Sequence, residues 1–370
     1  MTSRWTFTAF ILLTFHQAQA ANLKSVRVDF IEALSLKDTT SSERFQKDYQ
    51  DAIQLGKNLI ADKVGKCGYS IEAKASFYES GDALRAKELA EESRKNGSWM
   101  IVGPRRSNQY LLLVQGAKTT PTVSLMASSD DVSKLGPRHI SISPTNSQMT
   151  RLAAQEASVR KKRGTYLTIV SDDCSNCVDF SQAFDHAARR LGLRKLAETK
   201  IVGETFSTQP ILESSREHKP DFILLPNYSI VANRIMNAFN GQSKSPLFIG
   251  GDGWGDSRYG FVQNGQKLDD TIRGLTVRGF PPVEHELKRF ELGQIALAKK
   301  REIPFSAANS ALLKIVDSLG EMLCKKRPQN GEAFEKDFDK YSKRLSAPWG
   351  VSVYELRSGE LKFLKSQVVR

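Results

Sequence analysis

Histidine and cysteine are scarce in this chain, and they are scattered. The five histidines, His16, His139, His186, His218 and His285, lie far apart, and the four cysteines are Cys67, Cys174, Cys177 and Cys324. A single CxxC with no second CxxC and no His/Cys pair completes no zinc set, so neither a metal nor another cofactor is expected. No nucleophile is legible beside a base, and no paired acids are either, so the chain is read as a binding protein and not as an enzyme. No run approaches about 18 uninterrupted apolar residues, which excludes a membrane-spanning helix. No segment has the composition of a disordered tail.

The N-terminus reads as a targeting segment. Arg4 supplies a positive start, Trp5 to Phe15 is an apolar stretch too short to span a bilayer, and Ala18-Gln19-Ala20 is a small-x-small cleavage site. Export with cleavage after Ala20 is expected. No cysteine follows that site, so no lipid anchor is expected. The 370 residues, 40% hydrophobic and 26% charged, suffice for two domains of roughly 150 residues. The formal charge of +13 raises the question of nucleic acid. Export and the wide spread of the basic residues argue against it. Lys161-Lys162-Arg163 and Lys325-Lys326-Arg327 fall where helices should end, a favoured place for cations, and a weak attraction to anionic membrane surfaces is compatible with them.

In an exported chain four cysteines imply up to two disulfides, with three pairings that sequence does not rank. Cys174-Ser175-Asn176-Cys177 has the form of a redox motif, but it follows Asp172-Asp173 and has no neighbouring cation to lower a thiol pKa. A local disulfide stiffening a loop is the reading adopted, with thiol-disulfide exchange at Cys174 and Cys177 as the enzymatic alternative.

Strand-like and helix-like segments alternate. Ser25–Ile31, Tyr69–Phe77, Trp99–Val102 and Thr122–Leu125 read as strands, interleaved with helices over Ser42–Val64, from Asp82 to Asn96 and from Asn108. The pattern restarts with a helix at Asn146–Lys161. Strands follow at Thr165–Val170, Lys195–Ile201, Asp221–Leu225, Leu247–Ile249 and Leu275–Gly279, with helices at Phe180–Leu191, Thr208–His218 and Ile230–Asn240 between them. Helices near Val283–Lys300, at Ala307–Lys325 and at about Glu332–Leu345 come next, then a hairpin, Val351–Leu356 and Leu361–Val369, around Ser358-Gly359. Such β-α units imply α/β architecture, a parallel sheet wrapped by helices, built twice. The stretch Leu247-Phe248-Ile249-Gly250-Gly251-Asp252-Gly253-Trp254 would place Asp252 at the carboxyl end of a buried strand, where open α/β sheets bind ligands.

Five stretches in order carry a family resemblance: the leader, Met100-Ile101-Val102-Gly103-Pro104-Arg105-Arg106-Ser107, Thr122-Val123-Ser124-Leu125-Met126-Ala127-Ser128-Ser129, Ile140-Ser141-Ile142-Ser143-Pro144-Thr145-Asn146, and Ile249–Trp254. Together they resemble type I periplasmic solute-binding proteins, above all the leucine/isoleucine/valine-binding branch. The resemblance implies two doubly wound parallel-sheet lobes joined by a three-crossing hinge, and a small amino-acid-like ligand held between them. It further implies a monomer in the periplasm, a membrane permease of an ABC importer as partner, and no nucleic acid. The lobes would be 21–144 with about 283–345, and 145–282, after a 1–20 signal peptide; the hairpin, about 346–370, would lie near the hinge and the second lobe.

Carried over residue by residue, the resemblance implies that Ser107 and Ser128 hold the ligand's carboxylate, that Asp252 pairs its ammonium and that Tyr228 covers it. Arg105, Arg106, Ser129, Asn176 and Trp254 are further pocket candidates. Ser129 competes with Ser128, and Trp254 either lines the pocket or packs beneath its loop. Asn176-Cys177 stands where the family often has an aromatic-glycine pair, which alters one wall. Arg105 and Arg106 put positive charge near the cleft mouth. The alternative function is a sensory or scaffold subunit that uses the same cleft to signal to a membrane receptor.

Overall fold

A computed structural model describes residues 23–34, 39–203, 205–242, 244–254, 268–279, 307–345 and 350–367. The leader and the helix expected near Val283–Lys300 lie outside them. The first lobe is a five-stranded sheet of β1 (Lys24–Leu34), β2 (Tyr69–Glu79), β3 (Met100–Val102), β4 (Thr122–Ser124) and β5 (His139–Ser141), ordered β2-β1-β3-β4-β5 and parallel throughout. Between its strands run α1 (Thr39–Lys66), α2 (Ala83–Lys95) and α3 (Ser107–Ala117). β5 was not expected as a strand: its three residues lack the apolar run of the others. It is held by register against β4 and by Arg138 at its entrance, whose guanidinium lies 3.0 Å from Asp339 and 3.2 Å from Glu335.

The second lobe repeats the winding. It comprises α4 (Asn146–Arg160), β6 (Thr165–Ser171), α5 (Ser175–Arg190), β7 (Arg194–Ile201), α6 (Gln209–His218), β8 (Phe222–Leu224), α7 (Ser229–Asn237), β9 (Leu247–Gly250) and β10 (Arg273–Arg278). After the first-lobe helices α8 (Ala307–Lys326) and α9 (Gly331–Leu345), the chain returns with the antiparallel hairpin β11 (Val351–Arg357) and β12 (Glu360–Gln367). The sheet order is β12-β11-β10-β9-β8-β6-β7. Its parallel part therefore has the same 2-1-3-4-5 winding as the first lobe, each with a switch point where the strand order reverses. The chain passes between the two sheets three times: after β5, after β10 and before β11.

The alternation of side chains along each strand sends residues to both faces, and both are covered. Val26, Val28 and Phe30 pack with Tyr49, Leu312, Leu319 and Phe338 from α1, α8 and α9, whereas Ile31 and Ala33 pack with Leu89 and Leu113 from α2 and α3. In the second lobe Tyr166 meets Phe184 of α5, with ring centroids 5.4 Å apart, while Leu167 and Ile169 face Ile235 of α7. Each such side chain, fully buried, is worth about 1.5–3 kcal/mol. Both disulfides form: Cys67 to Cys324 joins the ends of α1 and α8, and Cys174 to Cys177 closes locally. α5 begins at Ser175, earlier than the apolar spacing suggests, because Cys174 caps it: the Cys174 Sγ accepts from the Cys177 N–H at 3.2 Å.

Candidate functional site

The two switch points face each other, and the exits of equivalent strands carry the candidate residues. Ser107 follows β3 as Tyr228 follows β8, and Ser128 follows β4 as Asp252 follows β9. The exit from β3 turns at Gly103, whose φ of +100° suits glycine and whose Cβ position is taken by the Ile31 carbonyl. Ser124 then donates to the Pro104 carbonyl at 2.8 Å and accepts from the Ala127 N–H at 3.0 Å, binding the β3 and β4 exits together.

Ser107 opens α3, where the preceding Arg106 makes no side-chain cap. Its Oγ accepts from the backbone N–H groups of Ser128 and Ser129, both at 3.1 Å. Those two bonds use the oxygen as acceptor and leave the hydroxyl hydrogen to be donated. A donor at a helix N-terminus, where the dipole is positive, suits an anion.

Across the cleft, Asn227 fixes the second lobe's switch point. Fully buried, it accepts from the Ser171 N–H at 2.7 Å and donates to the Ile169 carbonyl at 2.9 Å, so the β8 exit is pinned to β6. Sequence reading passed over this residue, because a lone asparagine before a helix looks like a turn. The Ser229 N–H donates to the Gly253 carbonyl at 3.0 Å, which joins the Tyr228 loop to the Asp252 loop. Tyr228 is 47% exposed, yet burial raises its hydroxyl pKa, as does Asp252, against the pull of Arg106 and Arg105. Arg105 and Arg106 belong to the first lobe and Asp252 to the second, so the Tyr228 ring stands among charges of both lobes.

Asp252 is half-buried. Burial raises its carboxyl pKa, opposed by the nearby Ser128 hydroxyl and by the charge of Arg278. The Ser128 hydroxyl also lies 3.4 Å from Asn176 Oδ1, to which the Asn146 amide donates at 3.0 Å. Ser128 and Asn176 thus bridge the lobes. Asp179 of α5 has its carboxyl pKa raised by burial and by Asp131 and Asp130 of the first lobe, with the Ser129 hydroxyl opposing the rise.

Two candidates are placed elsewhere. Trp254 is fully buried beneath the loop, its indole donating to the Leu225 carbonyl at 2.8 Å, and a Cβ on Gly250 would overlap its ring. It supports the Asp252 loop and does not line the cleft. Arg105 is engaged within its own lobe, 3.2 Å from Glu32 and with its guanidinium 4.2 Å from the centroid of Phe45. Arg106 is exposed, with no ion-pair partner among the described residues. Among the described residues no group of three or more His, Cys, Asp or Glu is placed to hold a metal ion, and no described helix is long and apolar enough to cross a membrane.

No protein-family model matches the sequence, and no curated protein is detectably similar to it. Solved structures are. A leucine-binding protein, LivK, from Thermotoga maritima superposes with a TM-score of 0.72 at 14% identity, over 93% of this chain and 99% of that one. The branched-chain amino-acid transporter substrate-binding protein LivJ from Streptococcus pneumoniae, in complex with isoleucine, gives 0.69 at 17% identity, over 94% and 99%. A solute-binding protein of an ABC transporter from Rhodopseudomonas palustris, in complex with p-hydroxybenzoic acid, gives 0.68 at 14%, over 94% and 98%. The chain therefore has the type I periplasmic binding protein fold. At these identities the likeness defines architecture, and the ligand has to be argued from the site.

Proposed function

We propose that this chain is an extracytoplasmic solute-binding protein that takes a small amino-acid-like ligand between its lobes and delivers it to an ABC-type importer in the membrane. One observation carries the reading: the Ser107 and Ser128 loops of the first lobe are joined, with the Ser128 N–H donating to Ser107 Oγ at 3.1 Å, and the Ser128 hydroxyl stands near the Asp252 carboxylate of the second lobe. Donors on one side and an acceptor on the other match a ligand that is anionic at one end and cationic at the other. The ammonium would take the place at Asp252 that the Ser128 hydroxyl holds, and the carboxylate would receive the hydroxyls of Ser107 and Ser128. Tyr228 would cover what remains. The protein performs no covalent chemistry on this reading; it is exported as a monomer to the periplasm, and binding is coupled to closure of the lobes about the three crossings. A thermal-shift screen of refolded, ligand-stripped protein against free amino acids, their amides and small carboxylates tests it. A flat screen with folded protein would contradict it.

A second reading rests on the Ser128 hydroxyl, which lies 3.4 Å from Asn176 Oδ1 of the other lobe and near Asp252. A cleft whose polar groups satisfy one another suits a sensory or scaffold subunit that closes without a transported solute. Co-purification with a receptor kinase in place of a permease would favour it.

A further inference from the structure

In a parallel sheet the helices end on the edge opposite the ligand-binding exits, so the connections from α4 to β6 and from α5 to β7 meet at one corner of the second lobe. The Arg194 N–H donates to the Gly164 carbonyl at 3.0 Å, and Met149, Leu152 and Ala153 of α4 share a core with Phe184 and Ala188 of α5. Residues 159–163 and 189–195 contain eight lysines and arginines and no carboxylate. A helix dipole explains one or two cations at each helix end. It does not explain eight.

Neighbouring acids neutralise only part of this charge. Arg160 lies 3.6 Å from Glu355, Lys161 lies 3.7 Å from Asp221, and Lys195 pairs with Asp185 and Glu198. Lys162, Arg163, Arg189, Arg190 and Arg194 are all exposed and have no ion-pair partner among the described residues. Unpaired like charges at this density repel one another, and an anionic surface relieves the repulsion. Two apolar side chains stand out among them: Val159 is 81% exposed and Leu191 37%. Cations around protruding apolar groups match the headgroup region of an anionic bilayer, where phosphates meet the charges and the apolar tips enter the interface.

We propose that this α4–α5 corner docks the protein on an anionic lipid surface. β6 runs from the corner to the cleft over seven residues, Thr165–Ser171. At about 3.3 Å per residue the two sites are roughly 20 Å apart. Docking therefore leaves the cleft open, and the inference stands apart from any choice of cleft ligand.

The test is sedimentation of the mature chain with vesicles of phosphatidylcholine alone or mixed with phosphatidylglycerol. Binding is expected only with phosphatidylglycerol, and is expected to disappear in about 1 M salt, where screening shortens to roughly 3 Å. Lys162→Ala with Arg190→Ala should weaken it roughly 25-fold, at about fivefold per charge. Val159→Asp should weaken it too, whereas Lys325→Ala with Lys326→Ala, a basic run elsewhere, should leave it unchanged. Equal binding to both vesicles, wild-type binding by the Lys162/Arg190 variant, or capture of heparin with no vesicle binding would each overturn the proposal; the last would point to a polyanion.

Discussion

The Ser128 hydroxyl of the first lobe stands near the Asp252 carboxylate of the second and opposes the rise that burial gives its pKa. The two residues follow the fourth strand of their respective lobes, so a repeated winding brings a donor and an acceptor together across the cleft. A ligand with two opposite charges can enter between them by presenting a better partner to each side. Asp252→Ala should cost such a ligand roughly 3–5 kcal/mol, because a buried ammonium is left unpaired. Ser107→Ala removes one hydroxyl donor to the carboxylate and should cost about 1–3 kcal/mol. Titration calorimetry separates the two.

Asp179 is expected to give the stability of the folded chain a pH dependence. Its carboxyl pKa is raised in the folded chain by burial and by Asp131 and Asp130 of the opposite lobe. Lys134 pairs with Asp131 at 2.7 Å, and Ser147 donates to Asp130 at 2.7 Å, so both facing carboxylates are partly compensated. A carboxyl raised in this way binds more protons folded than unfolded, so its contribution to stability falls as pH rises from the ordinary carboxylate range through the raised value. Asp179→Asn should raise the melting temperature at neutral pH and flatten the melting profile across that window. An unchanged profile would remove Asp179 from the account.

Trp254 is where the sequence left two readings open, and its indole decides the rigidity of the Asp252 loop. Beyond the bond to Leu225, its carbonyl accepts from Arg278 at 3.2 Å, and the Gly251 carbonyl accepts from Thr276 at 2.6 Å. Trp254→Ala should destabilise the fold by about 3–5 kcal/mol. Gly250→Ala, which pushes a methyl group into the indole, should cost about 1–3 kcal/mol and weaken ligand binding with it. Denaturant melts of both variants check this.

The Cys67 to Cys324 disulfide closes a loop of 257 residues and fastens α8 to α1. In the chain-entropy account a loop of this length is worth on the order of 5 kcal/mol. Replacing both cysteines by serine should lower the melting temperature markedly, and reductant should lower it much more in the wild type than in the double variant, which keeps only the local Cys174–Cys177 disulfide.

What the sequence disclosed is what local pattern controls. The β-α alternation placed the strands of both lobes except β5 within a few residues, and the glycines after a short apolar run drew attention to Asp252, whereas Ser107 and Ser128 came from the family resemblance. Long-range partners were not visible. Nothing near Arg105 in the sequence announces Glu32 or Phe45, which take up its charge. Nothing near Asn176 announces Ser128, its partner in the other lobe, or Asn146, its partner at the start of α4. The pairing of Cys67 with Cys324 depends on α8 returning to the first lobe, and the burial of Trp254 depends on gaps that Gly250 and Gly274 leave in two neighbouring strands.

The central claim is that the cleft reads a carboxylate and an ammonium together. The most direct measurement is calorimetry of the amino acid that emerges from the thermal screen, beside its deaminated analogue, the same acid without the ammonium. The account predicts that wild-type protein prefers the amino acid by about a hundredfold or more, equivalent to at least 2.7 kcal/mol, and that Asp252→Ala erases most of the preference. Equal or tighter binding of the deaminated acid by the wild type would contradict it, and would mark the cleft as a site for plain carboxylates.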